Sequence, residues 1–411
     1  MPASPDRTSP GRPAMSSALP LAGVRVLAVE VYGAGPYGTM HLADLGAEVI
    51  KIEPPGGGDM ARGVGPFLLG AQDSQFFQSF NRNKRSLTLD LKRQRGREIL
   101  ERLVAGADIL VNNLRGDQPG KLRLTYADLA ARNPRLVCGH LSGYGRRGSR
   151  AHWPGYDYLL QAETGWLHLT GEPDGPPSRA GLSLVDYMAG VTLAFAVTAA
   201  LVRALRTGQG GDVDVSLYDV ALHQLTYPAV WYLNEHHVTA RRPRSGHPAT
   251  VPVELFPTAD GWIFLMCVTQ KFWEELARSC DRPELVDDPR FADADGRRLH
   301  REALVEILDA VLRTRTTGDW MARFQGVVPA APVLTLSEAL QSPFALERGL
   351  VQPAPHPLRP DLRLLGGAIR IDERPTTVRA APALGADTEA ILGELGLSRG
   401  EIAALRADAI V

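Results

Sequence analysis

Apolar residues along this chain gather in short runs that stop at glycine or proline, and stretches with helical spacing separate them. Val24-Arg25-Val26-Leu27-Ala28-Val29 is a β-branched run closed by glycines, which predicts a buried strand. Pro36 to Leu45 has helical spacing and ends at Gly46, and Ala47 to Glu53 (AEVIKIE) predicts a second strand stopped by Pro54-Pro55-Gly56-Gly57-Gly58. Strand, helix and strand in so short a span form a βαβ unit with parallel strands and a right-handed crossover. The alternation continues. It gives strands over Arg85–Leu91, Ala107–Asn112, Leu136–Leu141, Gly181–Val185 and Val213–Leu217, and helices over Gln94–Ala105, Tyr126–Asn133 and Asp186–Arg206. That pattern predicts an α/β fold with a doubly wound, Rossmann-like large domain over residues 19–224.

The texture then changes. Arg241 to Pro252 is rich in Arg, Pro, Ser and Gly, a linker or loop, and VELFPTADGWIFLMCV predicts a hairpin turning at Asp260-Gly261 with amphipathic helices after it. Residues 225–340 therefore read as a smaller α+β domain. Residues 341–411, with helices over Thr388–Leu395 and Arg399–Arg406, read as a C-terminal return to the large domain. Residues 1–18 are polar and proline-rich with no apolar core, which predicts a disordered tail and no secretory signal.

Charge and composition narrow the function. Lys plus Arg count 45 against 46 Asp plus Glu, a formal net charge of -1, so no basic surplus draws the chain to nucleic acid or to an anionic membrane. The apolar run Met188–Val202 stops at Arg203, short of the ~20 residues a bilayer needs, and reads as a buried helix. Cys138, Cys267 and Cys280 are far apart with no C-x-x-C pair, which fits neither a disulfide framework nor a zinc site and suits a reducing cytoplasm.

Candidate chemistry starts at Gly33-Ala34-Gly35-Pro36-Tyr37-Gly38, a G-x-G-x-x-G match between strand and helix, with Glu53 at the end of the next strand. This is the dinucleotide fingerprint with an acid where the ribose would lie, and it opens an NAD(P)-dependent oxidoreductase reading. Any tight first turn of a βαβ unit uses glycines too, and Pro36 removes one N–H from a phosphate cradle. Asp186 stands where a strand meets the long helix, either as an N-cap or as a carboxylate facing the ligand crevice of an open sheet. Asp157, in Gly155-Tyr156-Asp157, reads first as an N-cap, and Tyr156 as core packing. His236-His237 has no carboxylate or cysteine at ligand spacing, so no metal site is expected. G-x-S-x-G and H-E-x-x-H are absent. Basic residues around Asn83-Lys84-Arg85 and at Lys92 flank a strand and read as solvated charges.

Taken in order, these segments resemble the class III CoA-transferases, whose relatives include formyl-CoA and carnitine CoA-transferases and the α-methylacyl-CoA racemases. The resemblance rests on LAGVRVLAVE, GAGPYGTMHLADLGAEVIKIEPPGGGDMAR, FNRNKRSLTLDLK, ADILVNNLRGDQPGKL, LSGYG, PGYDYLLQAETG, the stretch from Gly181 through Asp186, TGQGGDVDVSLYDV, VVPAAPVLTLSEAL and LGADTEAILGELGL. It implies a CoA-transferase with Asp186 as catalytic nucleophile. It also implies coenzyme contacts at Gly33, Ala34, Leu89, Asp90, Leu91, Lys92, Asn113, Leu114, Arg115, Lys121 and Tyr156. The expected substrates are an acyl-CoA and a carboxylic acid, with coenzyme A arriving as a thioester and no tightly bound cofactor. The expected assembly is an interlocked homodimer. In the racemase branch a His precedes the aspartate of the segment matched by Gly155-Tyr156-Asp157. Tyr156, with a pKa near 10, is a poor base at neutral pH and favours the transferase. Departures from formyl-CoA transferase lie at Pro54 and Pro154, where that enzyme has arginine and lysine. Lys121 replaces an arginine, which keeps the charge and loses the bidentate fork. Its glycine-rich gating loop has no clear copy, although Ser245-Gly246-His247-Pro248 lies in that region. An acyl-CoA racemase or isomerase, and a non-catalytic CoA-binding homologue in which Asp186 only caps its helix, are the alternatives within the family.

Overall fold

The computed structural model describes residues 19–411. The expected tail over residues 1–18 lies outside the described residues.

The chain divides into two units. Among the described residues, the first comprises 19–156, 186–220 and 349–411, and the second 157–185 and 221–348. The segment Asp157–Val185, assigned by sequence to the large domain, groups with the second unit instead.

The first unit is built on six parallel strands: β1 (Arg25–Val29), β2 (Glu48–Glu53), β3 (Arg85–Thr88), β4 (Ile109–Asn112), β5 (Val137–Ser142) and β6 (Gly211–Ser216). Their order is β3-β2-β1-β4-β5-β6, every neighbour parallel. The order reverses between β1 and β4, the switch point at which open α/β sheets hold ligands beyond the strands' carboxyl ends. Buried on both faces, the central strands are nearly all apolar: Val26, Leu27, Ala28, Ile109, Leu110 and Val111 are closed to solvent. Helices α1 (Ala34–Asp44), α2 (Gln75–Asn81) and α3 (Gln94–Ala105) follow the first strands. On one face of the sheet, Ile99, Leu100, Leu103 and Val104 of α3 share a core with Ile391, Leu392 and Leu405 of the C-terminal helices.

The long helix runs over Leu184–Thr207, 24 residues, and no strand forms at Gly181–Val185. Sequence placed this helix over Asp186–Arg206; it starts two residues earlier and runs one residue further, with Arg203 and Arg206 in its last turns, where their charges suit a helix C-terminus. By length and composition it is the one described helix able to cross a bilayer. Ala189, Leu193, Val197, Leu201 and Ala204 form a buried stripe along it, as in the core helix of a globular domain.

The second unit contains the expected hairpin, β7 (Val253–Pro257) and β8 (Trp262–Met266), extended by β9 (Ala330–Pro332). Trp273, Trp320, Phe256, Phe291 and Phe324 fill its own core against helices Gln270–Ser279, Arg301–Leu312 and Thr317–Phe324.

Candidate active site

Beyond β1 the chain turns through Glu30–Gly33 into α1, and the glycines of this turn are explained by what they touch. A Cβ added to Gly33 would lie 2.9 Å from Asp186 Oδ2, so the Asp186 carboxylate rests against bare backbone. A Cβ on Gly35 would lie 2.7 Å from Asn113 Cβ, and one on Gly38 would lie 2.5 Å from the Gly190 carbonyl oxygen. Gly190 in turn leaves no room beside the Ala34 carbonyl, 2.5 Å from its would-be Cβ. Glycine on both helices lets α1 and the long helix meet backbone to backbone. That contact brings the first turn of the long helix, and Asp186 with it, to the switch point of the sheet. Asp186 lies within that first turn, two residues past its start, and is not the cap at the end of a strand. The helix N-terminus favours its negative charge.

Asn113, directly after β4, ties the turn from the other side. The Val31 N–H donates to Asn113 Oδ1 at 2.9 Å, and Asn113 Nδ2 donates to the Val31 carbonyl at 2.7 Å. Gly33, Ala34, Asn113 and Asp186 therefore belong to one constellation.

Glu53 does not fit the ribose role that its spacing suggested. It is buried, and Arg62 Nε and Nη2 each approach its carboxylate at 2.7 Å, while Ser86 Oγ donates at 2.7 Å and the Asp59 N–H at 3.0 Å. Around it, Lys51 pairs with Asp59 at 2.8 Å and Lys84 with Glu30 at 2.7 Å, so three cations and three carboxylates lie buried together. Lys84, read from sequence as a solvated charge, is a member of this network. Burial lowers its pKa to about 8 against the pull of Glu30. Burial would raise the Glu53 carboxyl, but hydrogen bonds from Arg62 and the Lys51 and Arg62 charges hold it below the usual carboxylate range. The same balance, with Lys51 dominant, lowers Asp59. A depressed carboxylate contributes stability that is complete above its unfolded pKa, near 4.3, and is lost as pH falls through the folded value. Glu53→Gln is thus expected to lower Tm at pH 7, with the gap to the wild type shrinking below pH ~4. A gap that stays constant down to pH 3 in thermal melts would contradict the assignment.

The remaining residues implicated by resemblance lie along the same carboxyl edge. Leu89–Lys92 follow β3, where the Leu89 side chain is buried in the core and Lys92 is exposed. The Leu89 N–H donates to the Glu53 carbonyl and the Asp90 N–H to the Ile410 carbonyl, so this stretch presents a fixed backbone. Leu91 and Leu114 pack partly on the core, which leaves them apolar edges near the surface. Arg115 and Lys121 both reach Asp117, each at 2.6 Å, and together leave one positive charge in excess. These two side chains hold the Asp117 carboxyl far below its ordinary range. Gly155 packs backbone to backbone on Gly143, just past β5, and so sets the exposed Tyr156 at this edge. Asp157 is the first residue of its helix and accepts from Gln161 Nε2 at 2.6 Å. The described residues contain no group of three His, Cys, Asp or Glu placed to hold a metal ion.

A family model for CoA-transferase family III matches residues 21–388. The chain belongs to this family. Mouse succinyl-CoA:glutarate CoA-transferase is 34% identical over 389 residues, covering 94% of this chain and 89% of the relative. Acetyl-CoA:oxalate CoA-transferase from Acetobacter aceti is 36% identical over 77% of this chain and 81% of its own. The crystal structure of a CAIB/BAIF family protein from Brucella suis superposes with a TM-score of 0.80 at 31% identity, over 92% of this chain and all of that one. The protein is a CoA-transferase acting between an acyl-CoA and a carboxylate. The oxidoreductase alternative is not favoured, since Glu53 is committed to Arg62 and Gly35 and Gly38 are consumed by packing.

Proposed function

We propose that this CoA-transferase works through covalent intermediates on Asp186. The observation that carries the reading is the Asp186 carboxylate set against the Gly33 backbone at the switch point of the sheet. Asp186 attacks the donor thioester carbonyl and expels CoA thiolate, which gives a mixed acyl-aspartyl anhydride. The thiolate then attacks the aspartyl carbonyl, forming an aspartyl-CoA thioester and releasing the donor acid. The acceptor carboxylate attacks that thioester and expels CoA thiolate, giving an acceptor-aspartyl anhydride, and the thiolate then attacks the acceptor acyl carbon, which forms the new acyl-CoA and frees the Asp186 carboxylate. A carboxylate is a weak nucleophile in water, and exclusion of water from the loaded site raises its reactivity. A thiol nucleophile finds no support. Burial pushes Cys267 and Cys280 up to about 12 and Cys138 higher still, so none supplies thiolate near neutrality.

On this reading, the backbone of Gly33, Ala34 and Leu89–Leu91, the side chains of Lys92, Asn113, Arg115 and Lys121, and Leu114 and Tyr156 bind the coenzyme A portion. The N–H groups at the start of α1 and the excess positive charge beside Asp117 suit its phosphates. No resident cofactor enters the reaction, and a cytoplasmic setting accords with three buried free thiols. The relatives named for glutarate and oxalate make dicarboxylic acids the first acceptors to test. Incubation of acetyl-, succinyl- and glutaryl-CoA with ¹³C-labelled glutarate or oxalate is expected to yield a labelled acyl-CoA by mass spectrometry. Exchange of the α-proton with D₂O and no new thioester would contradict transfer and indicate a racemase.

The homodimer is part of the same proposal. Val191, Phe195, Val202 and Leu205 of the long helix, spaced four, seven and three residues apart, form an exposed apolar stripe with Phe195 at 74%. We propose that a second copy covers it. Phe195→Glu is expected to shift a sedimenting dimer toward monomer, and a wild type that sediments as a monomer would contradict the proposal.

A further inference from the structure

Tyr32 stands immediately before Gly33 with φ 65, in the left-handed region that glycine adopts freely and tyrosine does not. Something must hold it there. The Tyr32 N–H donates to both oxygens of Asp59, at 2.9 and 3.2 Å. Asp59 Oδ1 also accepts the Ala61 N–H at 2.9 Å, and Asp59 Oδ2 meets Lys51 Nζ at 2.8 Å. Lys51 donates in addition to the Glu30 carbonyl at 2.9 Å, on the residue that opens the turn. One buried ion pair therefore grips the turn at both ends, at Glu30 and at Tyr32, while Asn113 grips Val31 between them. Only a carboxylate accepts donors arriving from three segments at once. Neither Asp59 nor Lys51 takes part in the chemistry proposed above.

We infer that Asp59 and Lys51 are positioning residues of the transferase site, fixing Tyr32 in its left-handed conformation and so the Gly33 backbone that borders the Asp186 carboxylate. The inference rests on Asp186 as nucleophile. A purely structural Asp59, as the cap of the turn Met60–Gly63, would alter stability and leave kcat per folded molecule unchanged.

The test compares the wild type, Asp59→Asn, Asp59→Asn with Tyr32→Gly, and Tyr32→Pro. Each full-length variant is incubated with acetyl-, succinyl- and glutaryl-CoA and quenched with hydroxylamine, and kcat and KM are measured beside thermal melts. Asp59→Asn is expected to slow labelling of Asp186 and lower kcat about tenfold, with KM for the acyl-CoA within about threefold. Adding Tyr32→Gly restores most of the loss, because glycine takes the positive φ unaided. Tyr32→Pro, at a position whose side chain is partly exposed and whose N–H alone enters the buried network, cannot take positive φ and lacks the N–H. It reproduces the defect even where Asp59→Asn fails to fold. Wild-type labelling rates in folded Asp59→Asn or Tyr32→Pro, or a loss that Tyr32→Gly leaves untouched, would overturn the positioning role alone. A wild type that no thioester labels removes the Asp186 reading and this inference with it.

Discussion

Asp186→Ala is expected to abolish CoA transfer, with kcat falling by at least ~10³-fold, the scale on which loss of a covalent nucleophile shows. Affinity for CoA is expected to stay within about threefold, because the proposed coenzyme contacts lie on other segments of the sheet edge. The fold is expected to tolerate the change. Asp186 is only partly buried in the first turn of a 24-residue helix, and its charge at that terminus is worth about 0.3–1 kcal/mol. Steady-state transfer assays with calorimetric CoA titration separate the two effects. An Asp186 that merely capped its helix would show the opposite pattern, a lower Tm with turnover intact.

Gly33→Ala is the second large effect, and its force lies in what it leaves alone. The added methyl meets Asp186 Oδ2 at 2.9 Å, the far end of a side chain, and apart from Asp186 Cγ at 3.8 Å no atom outside the two flanking residues comes within 4 Å. Stability therefore stays near that of the wild type while the reactive carboxylate moves. A displacement near 1 Å in a reacting group costs about 10²-fold in rate. Gly190→Ala provides the contrast. Its methyl meets the Ala34 carbonyl oxygen at 2.5 Å and the Gly38 nitrogen at 3.0 Å, so two helix backbones must separate. That variant is expected to lose Tm and activity together, whereas Gly33→Ala loses activity alone. Equal melting losses in both would show that Gly33 serves the fold and not the carboxylate.

The contrast also marks how far sequence reached. The inner strands β2, β1, β4 and β5 were legible because a parallel sheet buried on both faces writes itself as short apolar runs, closed at β1 and β5 by glycine and at β2 by proline. Helix α3 was legible because its apolar positions recur with helical spacing and its capping glycine is Gly106. The glycine fingerprint misled, since a backbone bare enough for phosphate is equally bare for packing. The partners that decide between the two, Asn113 and Gly190, lie far along the chain. Glu53 misled for a similar reason: spacing placed an acid at the strand end but gave no sign that Arg62 would fold back onto it. The stretch Asp59-Met60-Ala61-Arg62 after the glycine run held that signal, a capping Asp with a cation three residues on. Lys51 sits among the apolar residues of β2, and Lys84 lies in the polar stretch before β3 that pattern alone reads as solvated, yet both are buried against carboxylates. Asp186 itself was ambiguous in sequence, because cap and nucleophile ask for the same residue at the same helix start. The nucleophile reading rests on the place of the carboxylate beside Gly33.

The measurement that bears most directly on the account is mass spectrometry of the full chain incubated with acetyl-, succinyl- and glutaryl-CoA and quenched with hydroxylamine. The account predicts a hydroxamate on the peptide containing Asp186, absent from Asp186→Ala. Transfer that proceeds with no adduct on that peptide would contradict it.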